Sequence, residues 1–156
     1  MINTPVLLTA QHAIDRFNCG TPNIDGWLKT RALPNQTTGA SRTYVLSEGN
    51  RAVGFYALAS GSVSTADAPG RIKRNMPDPI PVMILARFAI DMNSQGKGLG
   101  ANLLRDAVLR TIQAAEIGGI RALLAHAKDE RAAAFYERSG FIPSPIRRLT
   151  MFLPVT

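Results

Sequence analysis

The sequence has few of the residues that mark extracellular, metal-binding or membrane-spanning proteins. Cys19 is its one cysteine among 156 residues, so no internal disulfide can form and a reducing, cytoplasmic location is expected. The two histidines, His12 and His126, are far apart and no Cys/His cluster has metal-ligand spacing, so no metal site is expected. No hydrophobic run approaches the ~18 residues of a membrane span, and we expect neither a secretory signal nor a membrane partner.

Acidic residues are also scarce. Eighteen Lys and Arg residues against eleven Asp and Glu residues give a formal net charge of +7. The excess occurs in both halves of the chain, 8 against 5 in residues 1–80 and 10 against 6 in residues 81–156, so it is not a basic tail. This balance favours a polyanionic partner such as nucleic acid or a phosphorylated cofactor, and a merely basic soluble protein is the alternative.

The N-terminal half predicts short helices followed by a hairpin. We expect a strand entry at residues 5–8, and 35–41 reads as a polar loop. The apolar spacing predicts helices over 10–17 and 23–33, the second capped by Asn23 and ended by Pro34. The alternation after residue 41 predicts a β-hairpin from strands 42–48 and 52–64.

The C-terminal half predicts alternating strands and helices after residues 65–81, which read as a long loop or a distorted helix. Residues 82–91 are nearly all apolar, as in a strand buried on both faces, and residues 98–116 have a helical stripe. A strand at 120–127 follows, and the first two strands of this unit are expected to be parallel. Further elements are a helix at 128–139 and one bent or two short strands at 141–155. One α/β domain over residues 1–156 is therefore expected.

A glycine-rich loop joins the strand at 82–91 to the next helix. Its glycines permit positive φ, and the helix that follows presents unpaired N–H groups and the positive end of its dipole, so it suits a pyrophosphate. A nucleotide P-loop is excluded because G-x-x-x-x-G-K-[ST] is absent. The loose dinucleotide form fits Gly96, Gly98 and Ala101, but the next strand carries no carboxylate. The acetyl-coenzyme A motif [QR]-x-x-G-x-[GA] fits Gln95, Gly98 and Gly100, and a tight turn without a ligand is the remaining interpretation.

A second motif decides between these interpretations. Residues 129–141, which begin with Asp129 and include Phe135 and Tyr136, resemble the N-x-x-A-x-x-[FL]-Y-x-x-x-G-F signature of the GNAT N-acetyltransferases. Asp129 stands where that family usually has Asn. Two motifs in this order, separated by a helix and a strand, are together specific. The resemblance implies a single GNAT-like α/β domain over residues 1–156, with a central mixed, mostly antiparallel sheet flanked by helices.

The N-terminal half narrows the resemblance. Residues 17–20, 27–28, 39–45 and 85–91 are similar to the GNAT toxins of type II toxin–antitoxin operons. The resemblance implies acetyl transfer from acetyl-CoA to the α-amino group of the amino acid on charged tRNA, which stops translation. It also implies a ribbon-helix-helix antitoxin as partner, a homodimer, and contact with operator DNA only through the antitoxin.

The resemblance also assigns site residues. Tyr136 is the expected catalytic acid, because a phenol with a pKa near 10 is protonated at neutral pH and can donate to a leaving thiolate. A buried structural tyrosine is the alternative. Backbone N–H groups near residues 88–90 are expected to bind the carbonyl oxygen. The expected cofactor-binding residues are Phe88, Ala89, Ile90, Gln95, Gly96, Lys97, Gly98, Leu99, Gly100, Asp129 and Phe135.

No general base is evident. The strand that carries a glutamate in many relatives has Arg87 in its middle and no carboxylate before Asp91. A free α-amine with a pKa of about 7.7–8.0 needs less help to deprotonate than a lysine at about 10.4, so the missing base favours an α-amine substrate. Glu48, Asp91 and His126 stay open as candidates, and a hydrogen-bonded structural role is the alternative for His126.

Basic residues outside the glycine loop are candidates for tRNA contacts. We expect tRNA contacts from Lys29, Arg42, Arg71, Lys73, Arg74 and Arg87. Further basic residues are Arg31, Arg147 and Arg148, and for each basic residue the interpretation is either a phosphate contact or a solvated surface position. For Arg87, inside an apolar strand, the alternative is a buried acidic partner.

Two other functions compete with the tRNA acetyltransferase: a GNAT enzyme for a small amine or a protein N-terminus, and a catalytically silent nucleic-acid-binding module.

Overall fold

The computed structural model describes all 156 residues and contains seven strands and five α-helices. The strands form one sheet in the order β1-β2-β3-β4-β5-β7-β6. The β4–β5 pair is parallel, whereas the β1–β2, β2–β3, β5–β7 and β6–β7 pairs are antiparallel. The expected α/β fold, with a mixed, mostly antiparallel sheet and flanking helices, is confirmed. The strands are β1 (Val6–Leu7), β2 (Arg42–Glu48), β3 (Arg51–Val63), β4 (Ile80–Ile90), β5 (Ala122–His126), β6 (Ile142–Pro143) and β7 (Thr150–Pro154).

The helices are short except for the one that follows the glycine loop. The predicted helix at 98–116 is confirmed as α4, and the predicted helix at 128–139 as α5. None of the five is long and apolar enough to cross a membrane. The helices are α1 (Pro22–Thr30), α2 (Ala32–Thr38), α3 (Gly70–Lys73), α4 (Leu99–Ala115) and α5 (Glu130–Arg138).

The chain forms two compact units. The first consists of residues 1–59 and 86–107, and the second of residues 60–85 and 108–156. The core of the first unit is centred on Phe55, whose ring meets Phe17 edge-on at 5.4 Å and lies almost parallel to Trp27 at 6.2 Å. The core of the second unit joins Ile72 of α3 to strand residues that include Val82 and Phe152.

Strand β4 extends beyond its pairing with β5. The parallel register runs from Val82 opposite Ala122 to Leu85 opposite Ala125, whereas β4 itself continues to Ile90. The predicted strand at 82–91 is therefore confirmed, although its faces are only partly buried. Its last five residues, 86–90, lead directly into the loop before α4.

Two predictions in the N-terminal region are wrong. Residues 10–17 form turns instead of a helix, because the backbone of Ala13 is bonded to the hairpin turn: its N–H donates to Asn50 O at 2.7 Å and its carbonyl accepts from Ala52 N at 2.9 Å. Those bonds compete with a helical ladder. Asn23 is not the cap of α1, since Pro22 is its first residue and Thr21 precedes it in extended conformation.

Pro34 does not end the helical region. It stands at the third position of α2, in the first turn, where a missing N–H costs nothing. The predicted polar loop at 35–41 is therefore helical as far as Thr38. The side chain of Gln36 connects this helix to the neighbouring chain, because its Nε2 donates to Leu8 O at 2.9 Å and its Oε1 accepts from Thr43 N at 2.9 Å.

Candidate functional site

The glycine loop has the conformation that its sequence predicts. Gly96 and Gly98 have φ of 78° and 77°, which L side chains rarely adopt, and α4 begins at Leu99. No atom lies within 4 Å of an added Cβ at either glycine, so the backbone conformation and not close packing requires glycine here. Lys97 between them is exposed, and Gly100 is the second residue of the helix. Open space, a helix N-terminus and one cation fit a pyrophosphate group.

Gln95 has a structural role that its place in the motif does not reveal. Its Nε2 donates to Ile90 O at 2.9 Å and to Cys19 O at 3.3 Å. The side chain therefore fixes the start of the loop to the end of β4 and to the turn before α1. Its predicted contact with the cofactor stays a prediction beside this structural role.

Asp91 stabilises the same junction. The carboxylate is buried, with Oδ1 accepting from Asn18 N at 2.9 Å and Oδ2 from Asn93 N at 3.1 Å. Both oxygens thus accept hydrogen bonds from backbone N–H groups around the 3₁₀ turn Met92–Ser94.

The predicted cofactor-binding residues at the end of β4 differ in exposure. Phe88 and Ile90 are half-buried and Ala89 is buried, and Ala89 packs in the core of the first unit.

The second predicted motif forms α5 in the second unit. Asp129 caps the helix, its Oδ1 accepting from Ala132 N at 2.8 Å, so the residue that replaces the usual Asn still performs a capping role. Phe135 is half-buried, and its ring lies 5.4 Å from that of Tyr136. The ring of Tyr136 also lies 5.2 Å from that of Phe141, just after the helix.

Tyr136 is buried at 7% exposure, and the pKa of its phenol is raised because burial disfavours the charged phenolate. The side chain is therefore neutral and protonated throughout the physiological pH range. That state is the one a proton donor needs. The small exposed fraction and the two aromatic neighbours fix the ring within the second unit.

Each of the three open candidates for a general base has a partner in the structure. Glu48 is exposed at the end of the β2–β3 hairpin and pairs with Arg51 at 3.0 Å and with the N-terminal amine at 3.9 Å. Asp91 is used by the backbone, as described above. His126 lies at the exposed end of β5 with Nδ1 3.2 Å from Thr150 Oγ1, which is the hydrogen-bonded structural alternative. No group of three or more His, Cys, Asp or Glu residues is arranged to hold a metal ion.

The basic residues divide into paired and unpaired sets. Arg147 pairs with Asp67 at 3.5 Å, and Arg148 pairs with Glu130 at 3.2 Å and with Glu137 at 2.6 Å. The other basic candidates make no ion pair within 4.0 Å, and all of them except the half-buried Arg87 are exposed. The unpaired set is Lys29, Arg31, Arg42, Arg71, Lys73, Arg74 and Arg87.

Arg121, which the sequence did not mark, fixes the basic helix α3. Its Nε donates to Ile72 O at 3.1 Å and its Nη2 to Arg71 O at 3.1 Å. Ile72 is fully buried, so α3 is attached by one apolar side chain and by one guanidinium. Arg71 and Lys73 on α3, and Arg74 directly after it, remain exposed. The only sequence signal for Arg121 was its position at the start of a buried strand.

A comparison with protein families decides the family. Residues 39–143 match the model of the acetyltransferase (GNAT) domain, which is more than half of the chain. The chain belongs to the GNAT acetyltransferases. The match includes both the glycine loop and α5, the two places where this GNAT sequence carries its predicted motifs.

Individual relatives place this GNAT chain beside toxins. It is 51% identical to the tRNA-acetylating toxin of Mycobacterium tuberculosis (strain ATCC 25618 / H37Rv), over 90% of this chain and 84% of the relative. The solved structure of AtaT complexed with acetyl-methionyl-tRNAfMet matches with a TM-score of 0.91 and 29% identity, over 99% and 95% of the two chains. A Tyr-to-Phe mutant of AtaT, bound to the C-terminus of the antitoxin AtaR and to acetyl-CoA, matches with a TM-score of 0.83 and 28% identity, over 99% and 94%.

Proposed function

We propose that this protein is a toxin that transfers the acetyl group of acetyl-CoA to the α-amino group of the amino acid on charged tRNA and thereby blocks translation. The observation that carries the proposal is its 51% identity to a tRNA-acetylating toxin over 90% of the chain. The fold similarity to AtaT with acetyl-methionyl-tRNAfMet supports the same substrate class. The unpaired cations supply the charge that a polyanionic substrate requires.

The glycine loop and α5 are the proposed cofactor-binding elements. Gly96 and Gly98 have a backbone conformation that suits a pyrophosphate, and the N-terminus of α4 follows directly. Lys97 adds a cation. Gln95 holds this loop in place, with Leu99 and Gly100 opening the helix. Acetyl-CoA supplies an activated thioester. The remaining proposed contacts come from the end of β4 (Phe88, Ala89, Ile90) and from α5 (Asp129, Phe135).

Tyr136 is the proposed acid. Its phenol stays protonated because burial raises its pKa, so Oη can give a proton to the sulfur as the acetyl group leaves. Backbone N–H groups near residues 88–90 are proposed to donate to the acetyl carbonyl oxygen.

The substrate amine is proposed to be an α-amine because the chain shows no carboxylate poised as a base. Glu48 is held by Arg51 at the hairpin, and both oxygens of Asp91 accept backbone N–H groups. An α-amine with a pKa of about 7.7–8.0 is partly neutral at physiological pH, whereas a lysine amine at about 10.4 is almost wholly charged.

Charged tRNA is proposed to bind through Lys29, Arg42, Arg71, Lys73, Arg74 and Arg87. Arg147 and Arg148 are excluded from this set because carboxylates already neutralise them. We further propose that residues 1–156 act as one domain in the cytoplasm, as a homodimer, and that an antitoxin of the ribbon-helix-helix type inhibits it. Binding of AtaT to the C-terminus of AtaR supports the antitoxin partner in general.

The direct test supplies the purified protein with labelled acetyl-CoA and one of three acceptors: total charged tRNA, deacylated tRNA, or a panel of polyamines and peptides. Label on charged tRNA alone, lost in Tyr136→Phe, is the expected result. Label on small amines or peptide N-termini instead would replace the tRNA substrate by the alternative function and leave the family unchanged.

A further inference from the structure

Arg87 is a cation in a place where a cation is costly. It lies on β4 between Ala86 and Phe88, beyond the last residue that pairs with β5, and its side chain is half-buried. No carboxylate lies within 4.0 Å of its guanidinium, so the acidic partner that its position suggested is absent. A partly buried charge without a counterion needs another source of stabilisation.

An aromatic series provides that stabilisation. The guanidinium carbon of Arg87 lies 5.1 Å from the centre of the Trp27 ring, and Trp27 lies at 8° to the ring of Phe55, which meets Phe17 edge-on. The face of an indole attracts a cation without neutralising it. Because Phe17 and Phe55 are buried, the series is rigid, and it fixes the cation in one place.

Most of the hydrogen-bonding capacity of Arg87 is unused. Nη1 donates to the carbonyl oxygen of Ala86 at 2.8 Å, and this is one of the five N–H donors of a guanidinium, which leaves four. A planar fork with free donors matches the oxygens of a phosphate. Its charge, position and free donors together are those of a preformed anion site.

We propose that Arg87, positioned by Trp27, binds the 5′-phosphate of the terminal nucleotide of charged tRNA. The proposal rests on the proposed function. Arg87 directly precedes residues 88–90, which are proposed to bind the acetyl carbonyl oxygen, and we therefore expect its anion near the reacting amine. On an aminoacylated 3′ end, the first phosphate from the ester is the 5′-phosphate of the last nucleotide. Trp27 is a positioning residue and does not contact the substrate itself.

The test uses two small acceptors that differ by one phosphate. They are 3′-aminoacylamino-3′-deoxyadenosine with and without a 5′-phosphate, whose amide link resists hydrolysis. Wild-type protein, Arg87→Gln, Arg87→Lys and Trp27→Phe are compared by KM in acetyl transfer and by Kd in calorimetry, with Arg105→Gln as a control for loss of one exposed charge. Melting temperatures establish that each variant folds.

We expect Arg87→Gln to weaken binding of the phosphorylated acceptor roughly 10- to 100-fold. Binding of the unphosphorylated acceptor should hardly change. Arg87→Lys keeps the charge but loses the planar fork, and Trp27→Phe loosens its placement, so both are expected to lie in between, with Trp27→Phe adding nothing to Arg87→Gln. Equal losses on both acceptors, or a weakened affinity for acetyl-CoA, would overturn the proposal. If wild-type protein binds the phosphorylated acceptor through Arg87 but transfers no acetyl group to charged tRNA, the proposed function fails instead.

Discussion

Two regions of the second unit carry the same kind of basic residues but differ in whether carboxylates pair with them. Arg147 and Arg148, before β7, lie within 4.0 Å of Asp67, Glu130 and Glu137. Arg71, Lys73 and Arg74, on and just after α3, have no acidic partner at all. Net charge therefore does not locate the surface for a polyanion, because a paired arginine presents little field. We therefore expect the polyanion at unpaired cations that lie on a fixed backbone.

The same contrast leads us to expect different roles for helices α5 and α3. Helix α5 is internally satisfied, with Asp129 capping its start, Arg148 bridging Glu130 and Glu137, and Tyr136 buried. Helix α3 is attached from behind by Ile72 and Arg121 and directs its charges outward. We expect changes in α5 to reduce the rate of acetyl transfer, and changes in α3 to reduce affinity for tRNA.

Tyr136→Phe is expected to have the largest effect. Loss of a general acid typically lowers a rate by about 10²–10⁴-fold, and the ring that packs against Phe135 and Phe141 is retained. Single-turnover acetylation of charged tRNA measures the rate, and filter binding measures tRNA affinity, which should be unchanged. Tyr44→Phe, on β2, is the matched control for removal of one phenol. A loss of tRNA affinity equal to the loss of rate would erase the contrast between α5 and α3.

Neutralising α3 is expected to have the next largest effect. The triple variant Arg71→Gln, Lys73→Gln, Arg74→Gln should raise KM for charged tRNA about 10-fold or more at low salt and leave kcat nearly unchanged. Each lost phosphate contact removes about 0.7–0.9 from the slope of log affinity against log salt, so up to three contacts lower it by about 2–3. Titrations at several salt concentrations measure this slope.

The paired arginines supply the comparison for that result. Arg147→Gln with Arg148→Gln removes two charges whose fields are already cancelled by Asp67, Glu130 and Glu137. The salt slope should stay close to that of the wild type. A slope reduced as much as in the triple variant would mean that net charge, and not pairing, governs tRNA binding.

Arg121→Gln is expected to cause part of the loss in tRNA affinity of the α3 triple variant, although Arg121 lies outside α3. It removes the donors to Ile72 O and Arg71 O, so α3 loses one of its two attachments. We expect about a 3- to 10-fold weaker affinity for tRNA, unchanged affinity for acetyl-CoA, and a lower melting temperature, since charge-assisted hydrogen bonds contribute about 1.5–3 kcal/mol each.

A double-mutant cycle with the α3 triple variant isolates this effect. If Arg121 acts through α3, its substitution should not lower tRNA affinity any further in a variant that already lacks the three cations. Additive losses would show that Arg121 contacts tRNA itself.

Much of the fold was readable because the decisive signals are local. The stripe of α4 and the apolar run of β4 are each set by residues within one element. Two of the wrong predictions involve residues with distant partners, since Ala13 is bonded to Asn50 and Ala52, and Gln36 to Leu8 and Thr43. The local periodicity of the sequence does not reveal such partners.

The candidate site divides in the same way. Gly96 and Gly98 were predictable, since the left-handed conformation favours glycine wherever it occurs. The sequence offered no means of separating Arg147 from Arg71, because the carboxylate that pairs with Arg147, Asp67, is distant in the chain. The stacking of Arg87 on Trp27 is equally a product of tertiary packing.

The smallest expected effect concerns the stability of α5 at high pH. Burial raises the pKa of Tyr136 above the ordinary tyrosine value of about 10, so between that value and the raised one the unfolded chain releases a proton that the folded chain keeps. Stability therefore falls as the pH rises above about 10, and below it this group has no effect. Melting temperatures of wild type and Tyr136→Phe at pH 8 and pH 10.5 measure the difference. The decrease should be smaller in Tyr136→Phe, which lacks the phenol but keeps every other titrating group. Equal decreases would mean that the phenol is well solvated in the folded protein. The argument that α5 carries a buried, protonated acid would then lose its physical basis.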